Sequence, residues 1–483
     1  MKTCVSIGAL LFVACTFLSA QKSPLWGDLQ PGNYNVGFKI ITLQDQTRLN
    51  KEEQPRTIQI HLWYPAAAVK ENKLMPFKEY LQALSKTQAR LNDTALKIYL
   101  KNNLNIHDEA AIRLLNTATT ATASAEHAEG QFPLLIWGFR NSTTAYQAVI
   151  SEYLASHGYL VAFVHPQGLQ PVFRWNQTSP DFNDIAYKLY DIEFALGYLN
   201  NQSFTDQHHT GVLSWSYGGE TAILLQMQNA SIDLAIFLDA FDKWCIENAA
   251  KSPFFDAAKA TIPYISFADN YDSTTLKLLQ EFKYNELKLH TYAQTKHGNF
   301  NSLESIIPFL YKFDPPRWTQ GGEPAKIAYE LICRYTLAYL NHYFKQQALQ
   351  IPTASAPDIL VKPQTFHPSA LLAPSDETLV TMGLKNELDQ IRSIFAQFPE
   401  LYGELTYTYL ADRLLSDFRF EDALHLFELN VKLFPQSPEI LMTMANTYLL
   451  FERKQDAKSI LQELLIIHPK HEAATKLLQE INK

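Results

Sequence analysis

The stretch Gly211-Val212-Leu213-Ser214-Trp215-Ser216-Tyr217-Gly218-Gly219-Glu220-Thr221-Ala222 decides how the rest of the chain is read. Its first three residues suit a buried strand, and residues 214–218 suit a tight turn. From residue 220 to 227 (ETAILLQM) the apolar positions recur at helical spacing. A strand, a sharp turn bearing a serine and a helix form an elbow that lifts the hydroxyl clear of both elements. Small residues must flank such a serine, because the backbone is strained and strand and helix pack closely. The usual pattern is G-x-S-x-G. Here Ser214 stands where the first glycine belongs, a departure small in volume. The competing reading is a Ser/Gly-rich loop between two ordinary elements.

Strands and helices alternate on both sides of this elbow. Residues 132–137 (FPLLIW) and 159–164 (YLVAFV) read as buried strands. Residues 145–157 form a helix closed by Gly158, and 182–199 a helix with one apolar stripe. Beyond the elbow, strand 234–238 ends at Asp239, strand 263–268 ends at Asp269, and strand 287–292 leads to His297. A long helix follows over 325–347. This alternation predicts an α/β fold, a mostly parallel sheet covered on both faces. Ligands of such sheets bind outside the carboxyl ends of the strands. Ser216, Asp239, Asp269 and His297 all fall just past strand ends, so distance in sequence does not keep them apart.

A serine hydroxyl is a weak nucleophile until a base within hydrogen-bond reach takes its proton, and the base needs an acid to orient it. His297, in the loop Thr295-Lys296-His297-Gly298-Asn299-Phe300, is the best-placed base. His165 ends an earlier strand, and His157 sits at a helix end. Spacing leaves the acid open between Asp239 and Asp269, with Asp242 and Asp272 as weaker candidates. Developing charge on a carbonyl oxygen calls for two backbone N–H donors. One is expected from Tyr217, directly after the serine. The other is expected from the loop after strand 132–137, at Phe139 or Arg140.

Composition sets limits. The 483 residues exceed one typical core. A formal charge of −8 argues against nucleic acid as a partner. Residues 1–20 read as a secretory signal: Lys2, an apolar run over 5–14, then Leu18-Ser19-Ala20 as the cleavage site. A lipoprotein signal ending at Cys15 is the rival. No later segment is long and apolar enough to span a bilayer. Cys245 and Cys333 remain in the mature chain, either as a pair or as two buried thiols. No metal site is indicated; His208-His209 lies in a polar turn without ligands at suitable spacing. Asn92, Asn141, Asn176, Asn201 and Asn229 head glycosylation sequons, which matter only in a eukaryotic secretory pathway.

Residues 35–43 and 57–64 read as an antiparallel strand pair. Residues 76–115 form a helical insertion, either a cover for the site or a packing decoration, and 117–130 (TATTATASAEHAEG) a flexible connector. Residues 350–375 are rich in proline and small residues and read as a linker between a domain at 21–349 and a helical domain at 376–483. In the latter Asp422-Ala423 recurs as Asp456-Ala457, Ala411 as Ala445 and Pro435 as Pro469, thirty-four residues apart. The period resembles tetratricopeptide repeats, although the tryptophan and glycine of their strongest consensus are absent. Residues 376–398 are expected to be a capping helix.

The stretch 132–164 (FPLLIWGFRN…SEYLASHGYLVAFV), the elbow SWSYGGETA, Leu238-Asp239-Ala240 and Lys296-His297-Gly298-Asn299-Phe300 resemble the platelet-activating factor acetylhydrolase branch of the α/β-hydrolases, close to dienelactone-hydrolase-like esterases. The resemblance covers roughly residues 30–345 with gaps. It implies Ser216 as nucleophile, His297 as base and Asp239, rather than Asp269, as acid. It further implies cleavage of a small-molecule or lipid ester without a cofactor. The departures are Ser214 and the missing His-Gly pair before Phe139. Two other readings stand beside this one: a degenerate hydrolase scaffold whose repeats bind a protein partner, and a peptidase with the same residues.

Overall fold

The structure is a computed structural model. It describes residues 22–49, 53–68, 73–82, 91–104, 106–138, 144–165, 182–310, 313, 322–352, 359, 363–370, 373–399 and 401–482. Residues 1–20, read above as a secretory signal, and Phe139 and Arg140 lie outside the described residues. The chain divides into two compact units, Met1–Ala370 and Leu371–Lys483.

In the first unit the described residues form one sheet of eleven strands: β1 (Asn35–Leu49), β2 (Pro55–Ala66), β3 (Leu74–Pro76), β4 (Ala118–Ala123), β5 (Phe132–Gly138), β6 (Leu160–His165), β7 (Thr205–Trp215), β8 (Leu234–Leu238), β9 (Tyr264–Ala268), β10 (Leu287–Thr291) and β11 (Gln364–Phe366). Their spatial order is β11-β10-β9-β8-β7-β5-β6-β2-β1-β4-β3. The run from β10 to β6 is parallel. Every residue of β5, β8 and β9 is buried, as strands covered on both faces must be. The covering helices are α1 (Lys78–Leu81), α2 (Asp93–Leu104), α3 (Asp108–Asn116), α4 (Thr144–Ser156), α5 (Phe182–Asn200), α6 (Gly218–Gln228), α7 (Lys243–Ala250), α8 (Ser273–Leu278), α9 (Leu303–Leu310) and α10 (Gly322–Lys345). From β5 the chain moves outward to β6 and then returns to β5's other side as β7. The crevice at the ends of β5 and β7 is therefore a topological switch point, where open α/β sheets bind ligands.

Three sequence expectations are corrected here. The segment read as a flexible connector contains β4, whose residues 121–123 pair in parallel with Val36–Phe38 of β1. Its alanines and threonines gave no apolar signal, yet Thr119, Thr120 and Ala121 are buried beneath the insertion. His208 and His209 are not in a turn before the strand that leads to Ser216 but within that strand, β7, where a register irregularity against β5 accommodates them. The segment read as a linker contributes β11, which pairs antiparallel with β10. Cys245 and Cys333 are both buried and free.

The insertion is anchored by one buried carboxyl. Glu152 of α4 accepts hydrogen bonds from Trp26 Nε1 (2.7 Å), Tyr80 OH (2.5 Å) and Thr120 N (3.1 Å). Trp63 Nε1 in turn donates to the Tyr80 oxygen (3.0 Å). Burial pushes the Glu152 carboxyl above its ordinary range, and these donors oppose that shift.

The second unit is helical: α11 (Asp376–Leu384), α12 (Leu388–Gln397), α13 (Thr406–Ser416), α14 (Phe420–Leu433), α15 (Pro438–Leu450), α16 (Lys454–Ile467) and α17 (Glu472–Ile481). The single capping helix expected over 376–398 is instead a hairpin, α11 and α12. It closes on the same left-handed turn as its neighbours, with Asn386 (φ 55°), Phe418 (φ 60°) and Glu452 (φ 60°) in equivalent places. Ala411, Ala423, Ala445 and Ala457 are fully buried where the helices of a pair cross. In the first hairpin Leu379 and Ile391, equally buried, occupy those positions. That replacement, with a shorter second helix, hides the unit from a search for period.

Candidate active site

β7 carries Ser214 opposite Gly138 of β5 and Phe237 of β8. Paired strand residues point to the same face, so the serine side chain lies beside a position without one. Gly138 is crowded: a Cβ there would lie 3.0 Å from the carbonyl oxygen of Gly218 and 3.1 Å from Ala222. Ser214 is itself fully buried, with Oγ 3.5 Å from the Ile236 carbonyl. The crowding that calls for glycine falls at 138, and position 214 holds a hydroxyl.

The chain then turns sharply. Ser216 is left-handed, with φ of +56°, a conformation costing a non-glycine residue of order 1–3 kcal/mol and held only when its surroundings enforce it. The Ser216 carbonyl accepts from Gly219 N (3.0 Å) and from the Cys245 thiol (3.5 Å). Burial pushes that thiol up, so it stays a protonated donor. Tyr217 caps the N-terminus of α6. Its amide stands at the positive end of the helix dipole, next to the serine hydroxyl.

Asp239 follows β8 and is also left-handed (φ +47°). Its amide is held by the Phe267 carbonyl on β9 at 2.6 Å. His297 follows β10, at the start of a short 3-10 turn pinned by Lys296 N donating to Asn299 Oδ1 and by Asn299 N donating to the Lys296 carbonyl, each at 2.7 Å. These three elements bring the side chains into one row. His297 Nδ1 lies 2.6 Å from Asp239 Oδ2, and Nε2 lies 2.8 Å from Ser216 Oγ. A carboxylate only accepts, so Nδ1 carries the proton and the bare Nε2 accepts from the serine hydroxyl. The Asp239 hydrogen bond, with the charges of Asp239, Asp242 and Asp269, raises the imidazole above its ordinary range against the opposing effect of burial.

The other candidates are placed differently. Asp269 lies past β9 without a hydrogen bond to His297, its carboxyl pushed up by burial and then by Asp239. Asp242 caps α7 by accepting from Cys245 N (2.9 Å), and Asp272 caps α8 and pairs with Lys243 (3.0 Å). His165 stacks on buried His61 (5.6 Å between centroids, 22°). His157 Nδ1 donates to the Tyr153 carbonyl (2.8 Å). The aromatic neighbours of the serine differ in kind. Tyr217 is 37% exposed, whereas the Trp215 ring is half-buried and stacks with His297 (5.6 Å, 15°) and with Tyr146 (5.0 Å, 29°). This stack and the Cys245 contact were not read from sequence. The one hint was adjacency of Trp215 to the serine.

Comparison with known proteins fits this architecture. Residues 28–168 match the family model of platelet-activating factor acetylhydrolase, isoform II, and residues 414–481 match a tetratricopeptide repeat model. No curated protein matches the chain. Among solved structures, a ferulic acid esterase from Streptomyces cinnamoneus superposes with a TM-score of 0.50 at 20% identity, covering 68% of this chain and 97% of its own. The first unit has the α/β-hydrolase fold, and tetratricopeptide-like helical repeats follow it.

Proposed function

We propose that this chain is a carboxylic-ester hydrolase that works through an acyl-enzyme on Ser216, with His297 as base and Asp239 as orienting acid. The observation that carries the reading is the hydrogen-bonded row Asp239–His297–Ser216 at the switch point of the sheet. Family likeness over residues 28–168 supports it. Ser216 Oγ attacks the ester carbonyl while its proton passes to His297 Nε2. Asp239 fixes the tautomer and offsets the imidazolium charge. The Tyr217 amide faces the developing oxyanion, and the loop bearing Phe139 supplies the second donor. The imidazolium protonates the departing alkoxide. A water, deprotonated by the same nitrogen, then releases the acid. No cofactor enters this sequence.

In this reading residues 1–20 are a cleaved secretory leader, 21–349 the catalytic domain and 376–483 a domain that binds a protein partner through its repeats. Among the described residues no helix is long and apolar enough to cross a membrane. The substrate is a small-molecule or lipid ester with a short acyl chain. The test is labelling of the mature protein with a fluorophosphonate, locating the modified peptide by mass spectrometry, followed by a panel of esters. Label on Ser216 that disappears in Ser216→Ala and falls strongly in His297→Ala is expected. A folded protein that takes no label overturns the reading.

A further inference from the structure

Trp215 directly precedes Ser216 in sequence, and its side chain is half-buried against the core. Its ring stacks nearly parallel to the His297 imidazole and also stacks with the Tyr146 ring. Its indole Nε1 is buried and has no hydrogen-bond partner. Burying an N–H without an acceptor is costly. Phenylalanine would fill much of the same space without that donor, so the unpaired N–H is a cost specific to an indole here. What an indole offers beyond a benzene ring is the most electron-rich face among the side chains, which attracts a cation within about 6 Å of its centroid. The group against that face is the one that becomes a cation during the reaction.

We infer that Trp215 is a positioning residue for the ester cleavage: its indole face holds the His297 ring in line with Ser216 and stabilises the imidazolium formed when the serine proton moves to Nε2. The inference rests on the reading given under Proposed function. The other groups that face the imidazole are the carboxylates of Asp239, Asp242 and Asp269 and the hydroxyl of Ser216. The carboxylates favour the cation by charge, from the ends of β8 and β9 and the cap of α7. The indole acts from the ring face, which none of the hydrogen bonds constrains.

The experiment follows the rate of fluorophosphonate labelling of Ser216 against pH in the full mature chain, for wild type, Trp215→Phe and Trp215→Leu, with thermal melting of each. Trp215→Leu is expected to label about tenfold more slowly at its plateau, the scale of a lost cation–π contact, with the acid-side midpoint moved to lower pH. Trp215→Phe is expected to lie between the two, while melting no lower than wild type because the unpaired donor is gone. That split between stability and rate separates positioning from packing. Wild-type rate and midpoint in a folded Trp215→Leu, or in Trp215→Phe should the leucine variant not fold, overturn the inference. If wild type itself takes no label, it is the ester-hydrolase reading that fails.

Discussion

Gly219 of α6 and the carbonyl oxygen of Ala240 meet so closely that a Cβ on the glycine would sit 1.6 Å from that oxygen. The contact joins the turn bearing Ser216 to the turn bearing Asp239, since Ala240 directly follows Asp239. A backbone oxygen cannot swing aside as the end of a flexible side chain can. Gly219→Ala is therefore expected to push the two turns apart, lowering stability by about 1–3 kcal/mol. It should also abolish most ester cleavage, because lengthening the His297–Asp239 and His297–Ser216 bonds disrupts proton transfer. Denaturant melts beside labelling rates would check both effects.

Asp239→Asn keeps the shape of the acid and removes its charge. An amide presents N–H to Nδ1 as readily as an oxygen, which favours the wrong tautomer and leaves Nε2 protonated against the serine. The expected loss in kcat is about 10³–10⁴, on the scale of such changes in serine hydrolases. Asp269→Asn removes a charge that reaches His297 only through space, and a loss under about tenfold is expected. A steady-state comparison of the two variants assigns the acid, and equal losses would contradict the geometry.

The pH profile has a definite sign. His297 must be neutral to accept the serine proton, and Asp239 raises its affinity for that proton. Activity should rise through an apparent pKa above the ordinary histidine value of about 6.5, and the midpoint should fall in Asp239→Asn. For stability the direction reverses. A group bound more tightly to its proton when folded stabilises the protein below the unfolded pKa, and that contribution is lost as pH rises through the folded value. The His297 side chain is 53% exposed, so the stability effect is small. Melting temperature and initial rate against pH provide the two curves.

Ser214→Gly restores the usual motif. Because the crowded position is Gly138 and not 214, the exchange should leave kcat/KM within about twofold. It should cost roughly 0.5–1 kcal/mol, the entropic penalty of glycine inside a strand. A large gain in rate would show instead that Ser214 impairs the elbow.

In the helical unit Phe418 adopts a left-handed turn while 80% exposed. Glycine is the preferred residue at such a helix end. Phe418→Gly should stabilise the full chain's helical transition by up to about 1 kcal/mol, measured by circular dichroism during denaturation.

Much of this organisation is legible in the sequence. The alternation of buried strands and apolar-striped helices places Ser216, Asp239, Asp269 and His297 at neighbouring strand ends, because a parallel sheet allows little else. The choice between the two aspartates is not legible from spacing, since β8 and β9 are adjacent and equally long. It depends on the left-handed turn at Asp239 that aims its carboxylate, and nothing in Leu238-Asp239-Ala240 announces that turn except likeness to a family. Likewise β4 and β11 are made of small or exposed residues whose only reason to extend is a partner strand remote in sequence. The Trp215 stack is missed for a related reason: local sequence places a residue beside the serine but not the histidine that closes over it.

Strand β11 has one more consequence, a mechanical one. Tension arriving from the C-terminal side meets the hydrogen bonds of Ser369 and Ala370 to the Lys283 carbonyl, and then the pair Phe366–Leu287. The antiparallel register makes these contacts yield one after another from the Leu287 end of β10. His297 lies beyond the opposite end, and β10 stays paired with β9 along its length. A load on the repeats would thus peel a three-residue edge strand before it strained the histidine loop.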